Sequence, residues 1–206
     1  MSVLKLVLAA TVWSTACASP APGVGSSGPS SPTPSVRTDR VGNVLTPLVD
    51  DATWAQLAAH PLRLPSLAAG AACPVTPAVP INSFVGALAG TGPIYVTGNR
   101  IYYSHAPDGS IFAKVAWISQ PDYKGPALIR GARIDATEEV RFERGRGARQ
   151  SDLHFEYDTG VRSAGSEEGW RFLPSLVVIS GSGCYAFQID GLDWSTTVVM
   201  DAMPNP

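Results

Sequence analysis

Between residues 94 and 200, apolar and polar residues alternate in short segments, and this pattern constrains the fold more than any other feature. A period of two residues is typical of a strand with one buried face. Gly, Pro, Asn and Asp residues separate most of the segments, as at Gly98-Asn99 and Asp190-Gly191. The predicted strands span residues 94–97, 101–104, 111–119, 127–134, 139–142, 153–157, 176–180, 185–189 and 196–200.

Many short strands separated by turns predict an all-β fold, and we expect an antiparallel immunoglobulin-like β-sandwich. The 20 Gly and 18 Pro among the 206 residues supply the turns that such a fold requires. The antibody-type arrangement of core residues is absent from the sequence, because Trp117 lies far beyond Cys73 and Tyr185 follows Cys184 instead of preceding it. The prediction therefore concerns the architecture and not membership of the antibody family.

A short helix is predicted before the strands, over residues 50–59. Acidic residues and Thr53 precede Trp54, Leu57 and Ala58, which are spaced to share one helical face. His60 precedes a proline and should end the helix, because the residue before proline disfavours the α conformation.

Residues 1–16 have the composition of an export signal, with an apolar run over residues 6–13 that is too short to span a bilayer. Two cleavage patterns overlap at its end. Ser14-Thr15-Ala16-Cys17 resembles a bacterial lipobox, with Ser14 in place of the usual Leu, and would make Cys17 the lipid-modified first residue. Ala16-Cys17-Ala18 fits ordinary secretion, with cleavage after Ala18 and loss of Cys17.

Residues 17–42 are predicted to form a disordered tether, because residues 19–35 are almost all Ser, Pro and Gly. Residues 43–206 then form a single β-rich domain with the helix at its start. A tether of this kind suits a domain held away from a membrane. We therefore expect an exported protein attached to the outer face of the cell membrane by a lipid on Cys17, with simple secretion as the alternative.

Cys73 and Cys184 remain in the chain under either cleavage pattern. They are predicted to form a disulfide, since an exported chain folds in an oxidising compartment. The bond would connect the beginning of the domain to its penultimate strand.

The charge balance argues against one class of partner. The 15 Lys and Arg residues against 17 Asp and Glu residues give a formal net charge of -2, whereas nucleic-acid-binding domains are normally basic. We expect no nucleic-acid partner. The expected partners are the membrane, through the N-terminal lipid, and a protein or glycan ligand.

Residues 181–186 match the pattern G-x-G-x-x-A of dinucleotide-binding proteins. That pattern requires a helix inside a βαβ unit, whereas residues 185–189 alternate like a strand, so the glycines are predicted to form a turn. Ser182 does not lie in the G-x-S-x-G pattern of a nucleophilic serine. We expect no cofactor and assign no catalytic residue.

The polar residues of segment 152–158 share one face of a predicted strand, where His154 and Glu156 could bind a metal ion together. They are Asp152, His154, Glu156 and Asp158. His60 and His105 lie in unrelated parts of the sequence. A half-buried strand with its polar face in water explains the pattern, so we expect no metal site.

Arginine residues crowd the segment 140–150 and could hold a phosphate, an acidic glycan or an anionic lipid surface. They are Arg141, Arg144, Arg146 and Arg149. Three glutamates lie beside them, so the segment is interpreted as a solvated loop of mixed charge.

The stretches that carry a family resemblance are Trp54…Pro61-Leu62-Arg63-Leu64-Pro65…Cys73-Pro74, Lys114-x-x-Trp117, Gly125-Pro126…Ile129-Arg130-Gly131, Gly169-Trp170-Arg171…Pro174-Ser175 and Gly183-Cys184-Tyr185…Gln188-Ile189-Asp190-Gly191. They cover most of residues 54–202. In them the chain resembles a group of exported actinobacterial proteins, described as lipoproteins with a β-sandwich-like domain, that has no assigned activity. The resemblance implies a compact exported β-domain and no particular catalysis.

Three functional classes are compatible with these features. We expect a lipid-anchored binding or interaction module of the cell envelope rather than an enzyme, by analogy with other tethered β-sandwiches. The alternatives are an envelope hydrolase with a carboxylate/His centre and a purely structural envelope component.

Overall fold

The computed structural model describes residues 37–38, 44–45, 49–68, 70–82, 85–144, 147–156 and 169–206. The predicted signal peptide, Cys17 and most of the predicted tether lie outside these residues. The described chain contains one helix and fourteen strands. Their bounds are β1 Arg37–Thr38, β2 Val44–Leu45, α1 Asp51–Ala58, β3 Ala78–Asn82, β4 Gly86–Ala89, β5 Ile94–Thr97, β6 Arg100–His105, β7 Ile111–Ser119, β8 Ala127–Arg133, β9 Glu138–Glu139, β10 Arg141–Glu143, β11 Asp152–Phe155, β12 Arg171–Ile179, β13 Gly183–Asp190 and β14 Ser195–Pro204.

Strands β1 and β2 pair with each other, and the other twelve strands form one continuous sheet. Along its main path the order is β11-β8-β13-β14-β6-β7-β5-β4-β3, while β12 pairs with β7, β10 with β12 and β9 with β8. The pairings are antiparallel except that β14 runs parallel to β6. The predicted all-β, sandwich-like fold is confirmed.

The sheet folds back on itself around a hydrophobic core. Strand β10 meets the chain just before β11 where Phe142 and Gln150 exchange backbone hydrogen bonds of 2.8 and 2.9 Å. The fully buried ring of Trp117 lies edge-on to Phe142 and Phe187, with ring centroids 6.4 and 5.5 Å away. Its indole N–H donates to Ser175 Oγ at 3.0 Å, so the ring is buried with its one polar atom satisfied.

Helix α1 lies over the outer face of this sheet. Asp50 caps it by accepting a hydrogen bond from the backbone N–H of Thr53 at 2.7 Å, as the sequence predicts. Leu57 is fully buried and Trp54 half-buried, whereas Ala58, predicted to share their face, is exposed. Trp54 stacks on His154 of β11 with 3.8 Å between ring centroids, which joins the helix to the sheet.

The segment that follows α1, residues 60–68 and 70–73, crosses the outer face of β13 without forming a strand, and we call it the strap. Alternate residues of β13 enter the core, whereas the others face outward. The outward-facing ones are Cys184, Ala186, Gln188 and Asp190. These side chains are nevertheless buried, since Leu64, Leu67 and Cys73 of the strap pack against the apolar ones.

Several strand predictions differ from the structure. Strand β14 continues to Pro204, beyond the predicted end at residue 200. Strands β3 and β4 were not predicted, because their Ala, Gly and Pro content is atypical of strands and neighbouring strands stabilise them. Residues 139–142 belong to two strands, β9 and β10, separated by the buried Val140. Strand β12 begins at Arg171, well before residue 176. It can include Pro174 because, within the described chain, only β7 pairs with β12 at that position, so the missing N–H of the proline is tolerated on the other edge.

Candidate functional site

Polar side chains meet on the outer face of the β13–β14 hairpin. Gln188 lies opposite Thr197 and Asp190 lies opposite Ser195 in the strand register. Directly opposed residues on one face of an antiparallel pair have Cβ atoms about 5 Å apart. The hairpin therefore holds an amide, a carboxylate and two hydroxyl groups within a few ångströms of one another.

Asp190 is completely buried and is surrounded by hydrogen-bond donors. Arg130 Nη2 donates to its Oδ2 at 2.7 Å, and Ser195 Oγ donates to its Oδ1 at 2.7 Å. Gln188 Nε2 lies 2.8 and 3.0 Å from the two carboxylate oxygens. Burying a carboxylate is costly unless it is paired and hydrogen-bonded, and here both conditions are met.

The same residues fasten the beginning of the strap. Gln188 Oε1 accepts the backbone N–H of Arg63 at 2.6 Å, and its Nε2 donates to the carbonyl of Pro61 at 3.0 Å. Arg130 Nη2 also donates to the carbonyl of His60 at 2.8 Å. The Gln188 side chain thus supplies a donor and an acceptor to the strap, as a neighbouring strand would.

A cavity of about 320 Å³, the junction pocket, opens where the strap meets the hairpin. Its lining residues are His60, Pro61, Arg63, Gln188, Asp190, Ser195 and Thr197. His60 Nδ1 lies 3.7 Å from Asp190 Oδ1, which leaves Nε2 on the opposite side of the ring. Within the described chain, no group hydrogen-bonds to the Arg63 guanidinium or the Thr197 hydroxyl.

The geometry of the junction pocket suits binding better than acid–base chemistry. Ser195 directs its proton to Asp190, whereas a serine nucleophile must give its proton to a base that can release it. Asp190 is buried and its oxygens are occupied by protein donors, so it holds the site together and is not placed to exchange a proton with a substrate. His60 and Arg63 carry the groups that a bound molecule would meet.

The predicted polar face of β11 is partly covered. His154 Nε2 lies 3.3 Å from Asp152 Oδ1, and its ring lies under Trp54. Glu156 is half-buried, and Asp158 lies outside the described residues. The structure brings Asp152, His154 and Glu156 together around a cavity of about 240 Å³ that also touches Arg144. Within the described ranges, no group of three or more His, Cys, Asp or Glu residues is arranged to hold a metal ion.

Two residues of the arginine-rich segment, Arg141 and Arg149, form ion pairs at the surface. Arg141 pairs with Glu139, and Arg149 lies 3.4 Å from Asp108 and 3.5 Å from Glu143. Arg146 lies outside the described residues. The charges of Arg141 and Arg149 are therefore balanced locally. The interpretation of the segment as a loop is wrong for Arg141, which lies in β10.

The glycine pattern 181–186 spans the turn between β12 and β13 and the beginning of β13. Gly181 and Gly183 have φ values of 136° and 155°, which L side chains rarely adopt. Ser182 Oγ and the hydroxyl of Tyr103 are 2.9 Å apart and share a hydrogen bond. These glycines turn the chain from one strand to the next.

A wider groove of about 460 Å³ lies on the outer surface of β7 and β12. It is lined by Thr97, Lys114, Val115, Ala116, Glu143, Pro174, Ser175 and Leu176. Its lining is mainly apolar, and Ser175 is already engaged by Trp117. The junction pocket contains buried ionic groups that the groove lacks, and for this reason we take the junction pocket as the candidate site.

Cys73 and Cys184 are joined by a disulfide, with 5.4 Å between their Cα atoms. The bond fixes the far end of the strap to β13 and closes a sequence separation of 111 residues. Cys17 lies outside the described residues. No helix in the described part of the chain has the length and apolar character needed to cross a membrane.

Sequence reasoning did not identify the junction pocket. The sequence pattern predicts a helix end at His60 and a turn at Asp190. It gives no functional signal at Arg63 or Thr197. The available signal was the spacing of Gln188 and Asp190, two polar residues on the same face of a strand whose other positions are apolar. Such a face is either in water or under a polar cover, and the sequence alone does not distinguish the two.

No protein-family model matches this chain, and no curated protein matches it. Among solved structures, the chain is similar to the X-ray crystal structure of a "putative lipoprotein" from Bacillus anthracis. The two share 13% sequence identity with a TM-score of 0.43, over 65% of this chain and 88% of that one. A similarity this distant carries no information about function.

Proposed function

We propose that this protein is exported, held at the outer face of the cell membrane by a lipid on Cys17, and acts there as a binding module through the junction pocket. The observation that carries the proposal is the Cys73–Cys184 disulfide. Bonds of this kind persist in oxidising compartments and are rare in the cytosol, so the disulfide supports export.

The N-terminal sequence supports an anchor at Cys17. The apolar run 6–13 is followed by small residues and then by Cys17, and the uncharged Ser/Pro/Gly segment begins directly afterwards. A spacer of about 20 such residues has a root-mean-square reach on the order of 25 Å, enough to lift a domain clear of lipid headgroups. Because a single acyl chain binds a membrane only reversibly, a stable anchor requires more than one chain.

The junction pocket supports binding as the activity. Its network of Arg130, Gln188, Asp190 and Ser195 is held together by hydrogen bonds on paired strands, with the carboxylate of Asp190 fully buried. Arg63 and Thr197 present polar groups that the described protein does not use. A preformed pocket with a few convergent polar groups is the usual form of a small-ligand site.

The anchor is tested by replacing Cys17 with Ala and following the protein through cell fractionation and fatty-acid labelling. Wild type should be labelled and sediment with membranes, whereas Cys17→Ala should be unlabelled and leave the membrane fraction. Ser19→Ala, two residues away in the tether, is the matched control and should behave like wild type. An unlabelled wild-type protein that begins at Ser19 in the medium would instead establish simple secretion.

A further inference from the structure

We propose that the junction pocket binds a phosphate group, carried either by a soluble phosphate ester or by a lipid headgroup. This inference rests on the proposed binding function and names the ligand chemistry of the same site. It comes from the charge of the pocket, the elements that carry its unused donors, and its size.

The charge of the pocket is positive. Asp190 is the acidic residue of the lining, and Arg130 neutralises it through a hydrogen bond of 2.7 Å from behind the pocket. Arg63 then adds a positive charge without a described partner. A pocket with such an excess attracts anions.

The unused donors lie on two different elements. The Arg63 guanidinium belongs to the strap, whereas the Thr197 hydroxyl belongs to β14. A planar carboxylate would be satisfied by the fork of Arg63 alone. A tetrahedral phosphate has further oxygens, one of which can accept a hydrogen bond from the Thr197 hydroxyl while Arg63 holds the others.

The size of the pocket is compatible with a phosphate and part of the group attached to it. Its volume of about 320 Å³ is at the lower end of the range for small-molecule sites, about 300–1,000 Å³. A domain tethered at a membrane surface would meet both phospholipid headgroups and soluble phosphate esters. The ligand chemistry is the same for both sources, and the experiment separates them.

The test measures binding in two arms, both with the Cys17→Ala protein, which carries no lipid of its own that could hold it on a vesicle. Titration calorimetry uses inorganic phosphate and glycerol phosphate, with acetate as the carboxylate control, and co-sedimentation uses phosphatidylglycerol vesicles. Binding in the first arm supports a soluble ester as the source, and binding in the second arm alone supports a lipid headgroup.

Variants connect the binding to the pocket. Arg63→Gln should weaken binding by about tenfold, the scale of a hydrogen bond to a charged group. Thr197→Val removes a hydroxyl without changing charge and should weaken binding by about fivefold, which general attraction to an anionic surface would not explain. Arg141→Gln, whose guanidinium pairs with Glu139 elsewhere on the surface, is the matched control and should bind like wild type.

The phosphate proposal is overturned if neither arm shows binding, if acetate binds as tightly as phosphate, or if both pocket variants bind like wild type. Should either pocket variant misfold, the other still decides the question, because the two side chains lie on separate elements. The Cys17→Ala fractionation is independent of these results. A labelled, membrane-bound protein that fails to bind phosphate would remove the ligand class and leave the anchored location intact.

Discussion

The two ends of the strap are fastened to the same strand by different chemistry. At one end, Cys73 is covalently bonded to Cys184. At the other, His60, Pro61 and Arg63 are held by hydrogen bonds from and to Arg130 and Gln188. The covalent end stabilises mainly by restricting the unfolded chain, whereas the polar end acts only in the folded protein and only while both partners are present. The candidate site lies at the polar end, where the contacts are reversible.

The largest effect is expected from removing the covalent end. The double variant Cys73→Ala/Cys184→Ala should lose up to about 4.7 kcal/mol of unfolding free energy, the chain-entropy value for a loop of about 100 residues. Urea unfolding of the variant and wild type measures the loss. Cys17→Ala, which leaves the bond in place, should unfold like wild type, and a loss below about 1 kcal/mol in the double variant would contradict the role assigned to this bond.

The next effect concerns the buried carboxylate at the polar end. Asp190→Asn should lose about 3 kcal/mol, because it leaves the Arg130 guanidinium without its counter-charge. Asp135→Asn is a matched control, since Asp135 also lies 2.7 Å from an arginine, Arg133, but near solvent. There the loss should stay below about 1 kcal/mol. Equal losses in urea unfolding would mean that burial does not distinguish the two pairs.

The hydrogen bond from Arg133 lowers the pKa of the Asp135 carboxyl. A lowered pKa means that this pair stabilises the fold above the ordinary pKa of aspartate, and the contribution is lost as the pH falls through the folded-state pKa. The difference between wild type and Asp135→Asn should therefore be small and should disappear in acid, when both proteins are compared by urea unfolding.

A modest effect is expected where α1 joins the sheet, before the strap begins. Trp54→Ala should cost about 1 kcal/mol through loss of the stacked pair with His154. His154→Phe keeps an aromatic partner and should cost almost nothing in the same measurement. If His154→Phe is as costly as Trp54→Ala, the contact depends on the imidazole nitrogens and not on ring stacking.

Local pattern was sufficient for the elements that alternate strongly. The predicted bounds of β5 and β7 agree with the structure, because both are rich in β-branched and aromatic residues and are bounded by Gly, Pro and Asp residues. The first half of β12 was not predicted because a proline normally ends a strand. Pro174 is tolerated there because β10 pairs only with the second half of β12. The Cys73–Cys184 pair could be predicted because both predicted processing patterns leave these two cysteines available to pair.

The candidate site could not be predicted in the same way. Arg63 and Gln188 are 125 residues apart in the chain, and their hydrogen bond exists only after the strap has crossed β13. The stacking of Trp54 on His154 is also a contact between residues far apart in the chain. Because of it, the polar face of β11, which was predicted to lie in water, is partly buried. Contacts between an irregular segment and a strand follow no sequence period, and a pattern-based prediction does not contain them.

The position of β14 determines when this domain can fold. It pairs with β13 on one edge and runs parallel to β6 on the other, where Asp201 meets Arg100 and Pro204 meets Tyr103. The sheet therefore lacks its connection between β13 and β6 until residues near 200 are available. If the protein is exported as proposed above, its chain emerges N-terminus first from a translocation channel, and β6 and β13 must remain without that partner until β14 has emerged. Such long-range pairing slows folding, so the protein should leave the channel unfolded and close its sheet only after release.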